Sequence, residues 1–170
     1  MDPRERGSPL AETLQGRPDL RVRVRWLKSG DYALGRAVGI ERKSAPDFAA
    51  SIVDGRLFRQ ARRLAGFYAR PLLLVEGDLR QGSIRNVAAE ALRGAWVSLS
   101  AVFRIPVLLS SGPEESADLI TAASRQFHRA FEDGYARAGY RPKGLRKRRL
   151  FILQGFPGVG PRRAAARGGH

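Results

Sequence analysis

An α/β fold, with a central mixed and largely parallel sheet covered by helices on both sides, is what the order of segments along the chain predicts. Two short apolar runs, Pro71-Leu72-Leu73-Leu74-Val75 and residues 105–109, have strand length and no polar alternation, as strands buried on both faces do. Between and around them lie segments whose apolar residues recur three and four apart, the spacing of a helix with one buried stripe. Helices alternating with buried strands imply a layered sheet rather than a bundle.

Taken in order, residues 9–15 read as a short helix. Residues 21–26 alternate strictly, so a half-buried strand is expected with Val22, Val24 and Trp26 inward and Arg21, Arg23 and Arg25 outward. Strands follow around 31–34 and 36–43. Ser44-Ala45-Pro46-Asp47 then opens a helix, with Ser44 as N-cap, proline in the first turn and Asp47 reaching back as an approximate capping box. Asp54 is expected to cap a further helix whose stripe is Leu57, Ala61, Leu64 and Tyr68. Beyond the strand at 71–75, residues 86–103 repeat Ala88, Leu92, Ala95, Leu99 and Val102 as another amphipathic helix. After the second buried strand at 105–109, residues 113–136 place Ile120, Ser124, Phe127 and Phe131 on one side of a long final helix.

A chain of 170 residues makes one domain plus an appendage. It has no cysteine, which excludes disulfides and thiolate metal sites and fits a reducing cytosol. No apolar run approaches the roughly 20 residues that span a membrane, and no signal peptide opens the chain, so a cytoplasmic protein is expected. Only His128 and His170 are available, too few and too far apart for a histidine-based site. The net charge is +15, and nine Lys or Arg lie beyond residue 140 with no acidic residue among them. Such a cationic segment favours a polyanion, because displacing condensed counterions drives association. A membrane surface or ribosomal RNA would satisfy the same electrostatics as DNA, and charge alone favours nucleic acid over other polyanions.

The chemistry concentrates in Asp31, Glu41-Arg42-Lys43 and Asp47. Val38-Gly39-Ile40 reads as a strand, so Glu41 and Lys43 project from one face and Arg42 from the other. A hairpin with the preceding strand brings Asp31 beside Glu41. Two adjacent carboxylates repel, and a hard divalent cation relieves the repulsion. Mg²⁺ held there polarises a phosphodiester, while Lys43 orients or helps deprotonate the attacking water. The bare triplet is equally compatible with a solvated hairpin edge. For Arg42 the alternatives are a structural ion pair or a contact to the scissile-strand phosphate. For Asp47 the helix cap and a catalytic role are compatible.

Gly30-Asp31 with Glu41-Arg42-Lys43-Ser44-Ala45-Pro46-Asp47, followed by Asp54-Gly55-Arg56-Leu57-Phe58-Arg59-Gln60, resembles the nuclease domain of the XPF family of structure-specific endonucleases. Val75-Glu76-Gly77 and Ile84-Arg85-Asn86-Val87 share the resemblance, which extends from Asp2 to about Phe131 and is closest to archaeal members. It implies a restriction-endonuclease-like, three-layer α/β/α core. It implies Mg²⁺-dependent cutting of branched DNA (flaps, forks, bubbles) in repair, with Mn²⁺ as substitute. A homodimer formed through the nuclease domain, and a sliding clamp or other repair protein as partner, are implied as well. Asp2-Pro3-Arg4-Glu5 is similar to an earlier family motif, so Asp2 and Glu5 join Asp31, Glu41, Arg42, Lys43 and Asp47 in the implied catalytic set. Asp31, Glu41 and Asp2 are the implied metal ligands, and Arg4 and Arg56 the implied DNA contacts.

Two departures accompany the resemblance. An aliphatic strand leads into the first Asp of the family, whereas here only Met1 precedes Asp2, so that strand is expected to be missing or to lie upstream. Gly155-Phe156-Pro157-Gly158-Val159-Gly160 is similar to one hairpin of a helix-hairpin-helix motif, where the family carries two. Glycines there let backbone N–H groups approach a phosphate, so Gly155, Gly158 and Gly160, with Arg162 and Arg163, are expected on DNA. A disordered basic tail is the alternative for this segment. The expected division is a nuclease domain at 1–137, a basic linker at 138–148 and a truncated hairpin stub at 149–170. A non-catalytic DNA-binding subunit and a truncated, inactive family member are the alternative functions. The protein would work on the nucleoid in a prokaryote and in the nucleus in a eukaryote.

Overall fold

The computed structural model describes residues 1–79 and 87–132, the side chains of the last three excepted. The expected linker and hairpin, with Gly155, Gly158, Gly160, Arg162 and Arg163, lie outside the described residues, as do Ile84, Arg85 and Asn86. The chain separates into two units, Met1–Phe127 and His128–His170, and the sheet and both core clusters belong to the first.

Among the described residues four strands form one sheet in the order β1 (Tyr32–Leu34), β2 (Val38–Ser44), β3 (Arg70–Glu76) and β4 (Val107–Ser110). β1 runs antiparallel to β2, and the other two pairings are parallel, the mixed sheet expected. β3 shows why both faces are covered. Leu72 and Leu74 enter one core cluster with Val38 and Ile40, while Leu73 and Val75 enter a second on the opposite face. Helices α1 (Pro9–Gln15) and α5 (Pro113–Glu132) close the first cluster through Leu10, Leu14, Ala117 and Ile120. Helices α2 (Ala45–Val53), α3 (Arg56–Phe67) and α4 (Ala89–Val97) close the second through Phe48, Leu57, Ala61 and Ala95. The result is a three-layer α/β/α core. Among the described residues no helix is long and apolar enough to cross a membrane.

The structure differs from several of the expectations. Residues 21–26 form none of the strands and have no regular secondary structure; Arg25 N donates to Met1 O and Met1 N to Arg23 O. Val22 and Val24 pack against the first cluster as the alternation implies. Trp26 instead points outward, 76% exposed, because the next amide, Leu27 N, is drawn to Asp2 Oδ2 at 3.0 Å and the alternation breaks there. Asp54 does not cap α3. It ends α2 in helical conformation, and Gly55 at φ +64° makes the turn into α3. The helix expected over residues 86–103 is α4 followed by a π-helical turn at Ser98–Val102. The wider turn shifts the phase of the stripe, so Leu99 stays buried while Val102 is 72% exposed. β4 is the edge strand, with Leu109 exposed and Ser110 buried, rather than an apolar strand covered on both faces. Phe127, on the apolar side of the final helix, packs against the first core cluster.

Gly39 in β2 makes one close approach possible. A Cβ there would stand 2.1 Å from Tyr68 Cδ2, so the ring at the end of α3 lies directly on the strand. Gly39→Ala should therefore destabilise the protein by about 1–3 kcal/mol in urea unfolding, the usual cost of overpacking. Gly66→Ala, where an added Cβ meets nothing, should instead be neutral or stabilising by up to about 1 kcal/mol.

Candidate active site

The turn into β1 is made by Gly30 at φ +77°, where a Cβ would meet Ile40 O at 2.9 Å. That glycine lets Asp31 N donate to Ile40 O at 2.8 Å, just beyond Tyr32↔Ile40, the last pair of the β1–β2 register. Asp31 is thereby held close enough to Glu41 to feel its charge. Arg42 N then donates to Asp31 Oδ2 at 2.8 Å and holds the carboxylate against β2. From the same face as Glu41, Lys43 reaches within 3.6 Å of Glu41 Oε1, with a side chain only 9% exposed. The strand period thus assembles Asp31, Glu41 and Lys43.

The electrostatics are those of a strained pair. Burial, and then the neighbouring Glu41, push the Asp31 carboxyl up to about 7. Burial also raises Glu41, opposed by Lys43. A dication between the two removes both penalties at once. Among the described residues no group of three Asp, Glu, His or Cys could hold a metal ion. Two carboxylates with phosphate oxygens and water completing the shell are, however, the common donor set for Mg²⁺. The chemistry of Asp31 and Glu41 fits such an ion, and these are the residues that would offer it carboxylate oxygens.

Asp2 is not brought in as a third ligand. Its backbone N donates to Asp31 O at 2.8 Å, which sets it beside the pair, but both carboxylate oxygens are engaged. Oδ1 accepts from Arg4 Nε at 2.7 Å and Arg4 N at 3.1 Å, and Oδ2 accepts from Leu27 N. The bonded guanidinium holds the Asp2 carboxyl down at about 2. Arg4 is itself exposed, and both Asp31 and Glu41 feel its charge. Glu5 turns to the other face, accepting from Tyr32 OH at 2.8 Å and lying 3.8 Å from Arg42 Nη1. Arg42 follows the ion-pair alternative: Nη2 donates to Glu76 Oε1 at 2.6 Å and Nε to Oε2 at 3.3 Å. Ser116 Oγ donates to the same Glu76 Oε2, and Ser110 bonds Ser116. Asp47 is engaged as a cap: its N donates to Ser44 Oγ at 3.2 Å and its Oδ2 accepts from that hydroxyl at 2.7 Å. Arg56 pairs with Asp54 at the surface.

Two residues of α3 that were not among the expected site residues join the site. Gln60 Nε2 donates to Glu41 Oε1 at 2.9 Å, and Arg63, bonded to Lys28 O, contributes positive charge to Glu41. The sequence does carry a signal for Gln60: it sits three residues after Leu57 and four before Leu64, a polar side chain within the buried stripe.

An ERCC4 domain matches residues 1–123. The chain is 30% identical over 167 residues to the 3′-flap repair endonuclease Xpf of Saccharolobus solfataricus, covering 94% of this chain and 69% of that protein. It is 35% identical over 140 residues to a Methanocaldococcus jannaschii protein described as an ATP-dependent RNA helicase, covering 82% of this chain but 17% of that protein. Among solved structures, XPF from Aeropyrum pernix in complex with DNA superposes with a TM-score of 0.70 at 32% identity, over 96% of this chain and 76% of that one.

The raised Asp31 pKa has a consequence for metal-free protein. The folded state binds a proton at Asp31 that the unfolded chain has released above its ordinary value near 4. Asp31 therefore makes stability fall as pH rises from about 4 to about 7, and adds no further slope above that. In urea titrations with EDTA, Asp31→Asn should lose this component and exceed wild type at pH 8 by at most roughly 4 kcal/mol. Equal pH slopes for the two proteins would show that Asp31 is not strained.

Proposed function

The chain belongs to the ERCC4-domain family of XPF-type nucleases, and from that membership we propose that it is a metal-dependent, structure-specific endonuclease cutting branched DNA in repair. The observation that carries the proposal is the Asp31–Glu41–Lys43 cluster: two half-buried carboxylates with raised pKa beside a buried ammonium. Asp31 and Glu41 hold Mg²⁺, or Mn²⁺ in its place; when bound, the ion lowers the pKa of a coordinated water and offsets charge on the phosphate. Lys43, fixed beside Glu41, orients the attacking water and stabilises negative charge on the phosphoryl oxygens. Arg42 ties β2 to β3 and keeps Asp31 in place through its backbone N–H. Arg4, exposed beside the pair, is positioned to meet a DNA phosphate.

The preferred substrates are flaps, forks and bubbles near the single-strand/double-strand junction. Grip comes from charge: nine Lys or Arg fall between Arg141 and Arg167, where the hairpin glycines Gly155, Gly158 and Gly160 and the pair Arg162 and Arg163 also lie. Two copies pair through the nuclease domain, and Val97, Val102 and Leu109 supply exposed apolar surface for it. A sliding clamp or other repair protein is the proposed delivery partner. The place of work is the nucleoid or, in a eukaryote, the nucleus.

A labelled flap substrate tests the reading. Wild type should cut it with Mg²⁺, Asp31→Ala and Glu41→Ala should abolish cutting while DNA binding persists, and Lys43→Ala should lose activity but keep its Mg²⁺ calorimetric signal. Wild-type cutting rates in either carboxylate variant would reject the metal assignment. A wild type that binds the flap but leaves it intact would make the protein a binding subunit.

Deleting everything after Tyr140 should weaken duplex binding sharply and flatten its dependence on log salt, by roughly 0.9 for each phosphate no longer neutralised. An unchanged affinity and slope would move the DNA grip to the arginines Arg21, Arg23 and Arg25.

A further inference from the structure

Gln60 is a polar side chain where packing calls for an apolar one. It lies on α3 within the stripe of Leu57, Ala61 and Leu64, turned toward the sheet. Its Nε2 donates to Glu41 Oε1 at 2.9 Å. A carboxylate only accepts hydrogen bonds, so the amide orientation is dictated: the NH₂ group faces Glu41 and the carbonyl faces away. That carbonyl, Oε1, is buried and finds no hydrogen-bond partner among the described residues. A half-satisfied amide in a core is unfavourable, and a leucine or methionine would avoid the penalty altogether. What the glutamine supplies in return is a hold on one oxygen of Glu41. Lys43 approaches that same oxygen, at the longer distance of 3.6 Å.

We propose that Gln60 is a positioning residue of this centre, fixing the Glu41 carboxylate through Oε1 so that its second oxygen is presented for the metal. It acts through Glu41 and touches neither metal nor DNA. Metal-ligating carboxylates depend on such outer partners, whose loss generally costs about 10–100-fold in metal affinity or activity. A donor at Oε1 also keeps Glu41 from closing fully onto Lys43, so the ammonium stays available to the phosphate. The catalytic consequence rests on the endonuclease reading; the effect on Glu41 rests on the geometry alone.

Gln60→Met and Gln60→Leu test this in the full-length chain. A small cavity of about 10 Å³ lies between Gln60, Glu41, Lys43 and the apolar stripe, which eases the fit of either side chain. Binding of Mn²⁺ is followed by electron paramagnetic resonance of the free ion, alongside single-turnover cleavage of a flap at saturating DNA. Both variants should bind Mn²⁺ about 10–100-fold more weakly and cut more slowly by a similar factor. Their DNA affinity without metal should equal wild type. In a Glu41→Ala background, Gln60→Met should cause no additional loss of Mn²⁺ affinity, because its partner is gone; a purely structural residue would not show that dependence. Unchanged Mn²⁺ affinity in a folded Gln60 variant overturns the proposal, as does an equal loss in the Glu41→Ala background. If Gln60→Leu does not fold, Gln60→Met decides. A wild type that binds Mn²⁺ but leaves the flap uncut overturns the endonuclease reading alone, and one that binds no Mn²⁺ overturns both.

Discussion

A guanidinium inside a sheet must be paired, and the pairing of Arg42 organises the molecule around it. Arg42 sits in the middle of the charged end of β2, bonded twice to Glu76 on β3 and within reach of Glu5. Ser116 of α5 and Tyr32 of β1 complete the shell through Glu76 and Glu5. Removing one partner of this half-buried pair leaves the other charge without its nearest counter-ion. The network therefore joins β1, β2, β3 and α5 at the end of the sheet where the functional carboxylates lie. It also determines what the opposite face carries: with Arg42 turned to Glu76, the strand period sends Glu41 and Lys43 toward α3.

The two faces of this strand end are under opposite demands. On the Arg42 face every charge has a close partner, and the Ser116 hydroxyl, itself bonded to Ser110, donates to Glu76 Oε2. On the other face Asp31 and Glu41 are like charges at the end of one ladder, with a buried lysine offsetting only part of their repulsion. Such strain persists only where surrounding structure over-determines it. Here the supports are specific: Gly30 permits the turn, Arg42 N holds Asp31, and Gln60 holds Glu41. The stable face thus supports the strained one.

Much of this was visible in the chain. The helix over Pro9–Gln15 follows from Ser8, Pro9 and the Leu10–Leu14 spacing, and the structure places it over those same residues. The apolar run at 71–75 became β3 because four consecutive aliphatic side chains can be buried only by covering both faces. Asp31, Glu41 and Lys43 were legible as a group because period two and one hairpin suffice to bring them together. Asp47 and Arg42 each carried two readings in the sequence, and neither could be chosen locally. Ser44, three residues away, engages Asp47 as a cap; Glu76, thirty-four residues away, engages Arg42 as an ion pair. Trp26 and Val102 were placed inward by a periodicity that one amide bond and one π-helical turn interrupt.

What the sequence determined by itself is what short-range geometry controls: the periods of 2 and 3.6, the caps, the glycine turns, and the alternation that puts Glu41 and Lys43 on one side of β2. The tertiary structure decided which charges are satisfied and which are left strained. Asp2 is consumed by Arg4 and by the amide of Leu27, Glu5 by Tyr32 and Arg42, and Glu41 acquires Gln60 from a helix nineteen residues on. Those outcomes depend on side chains meeting across the sheet and between layers. No local pattern encodes such meetings, because a hydrogen bond responds to a distance of about 3 Å in space and not to separation along the chain.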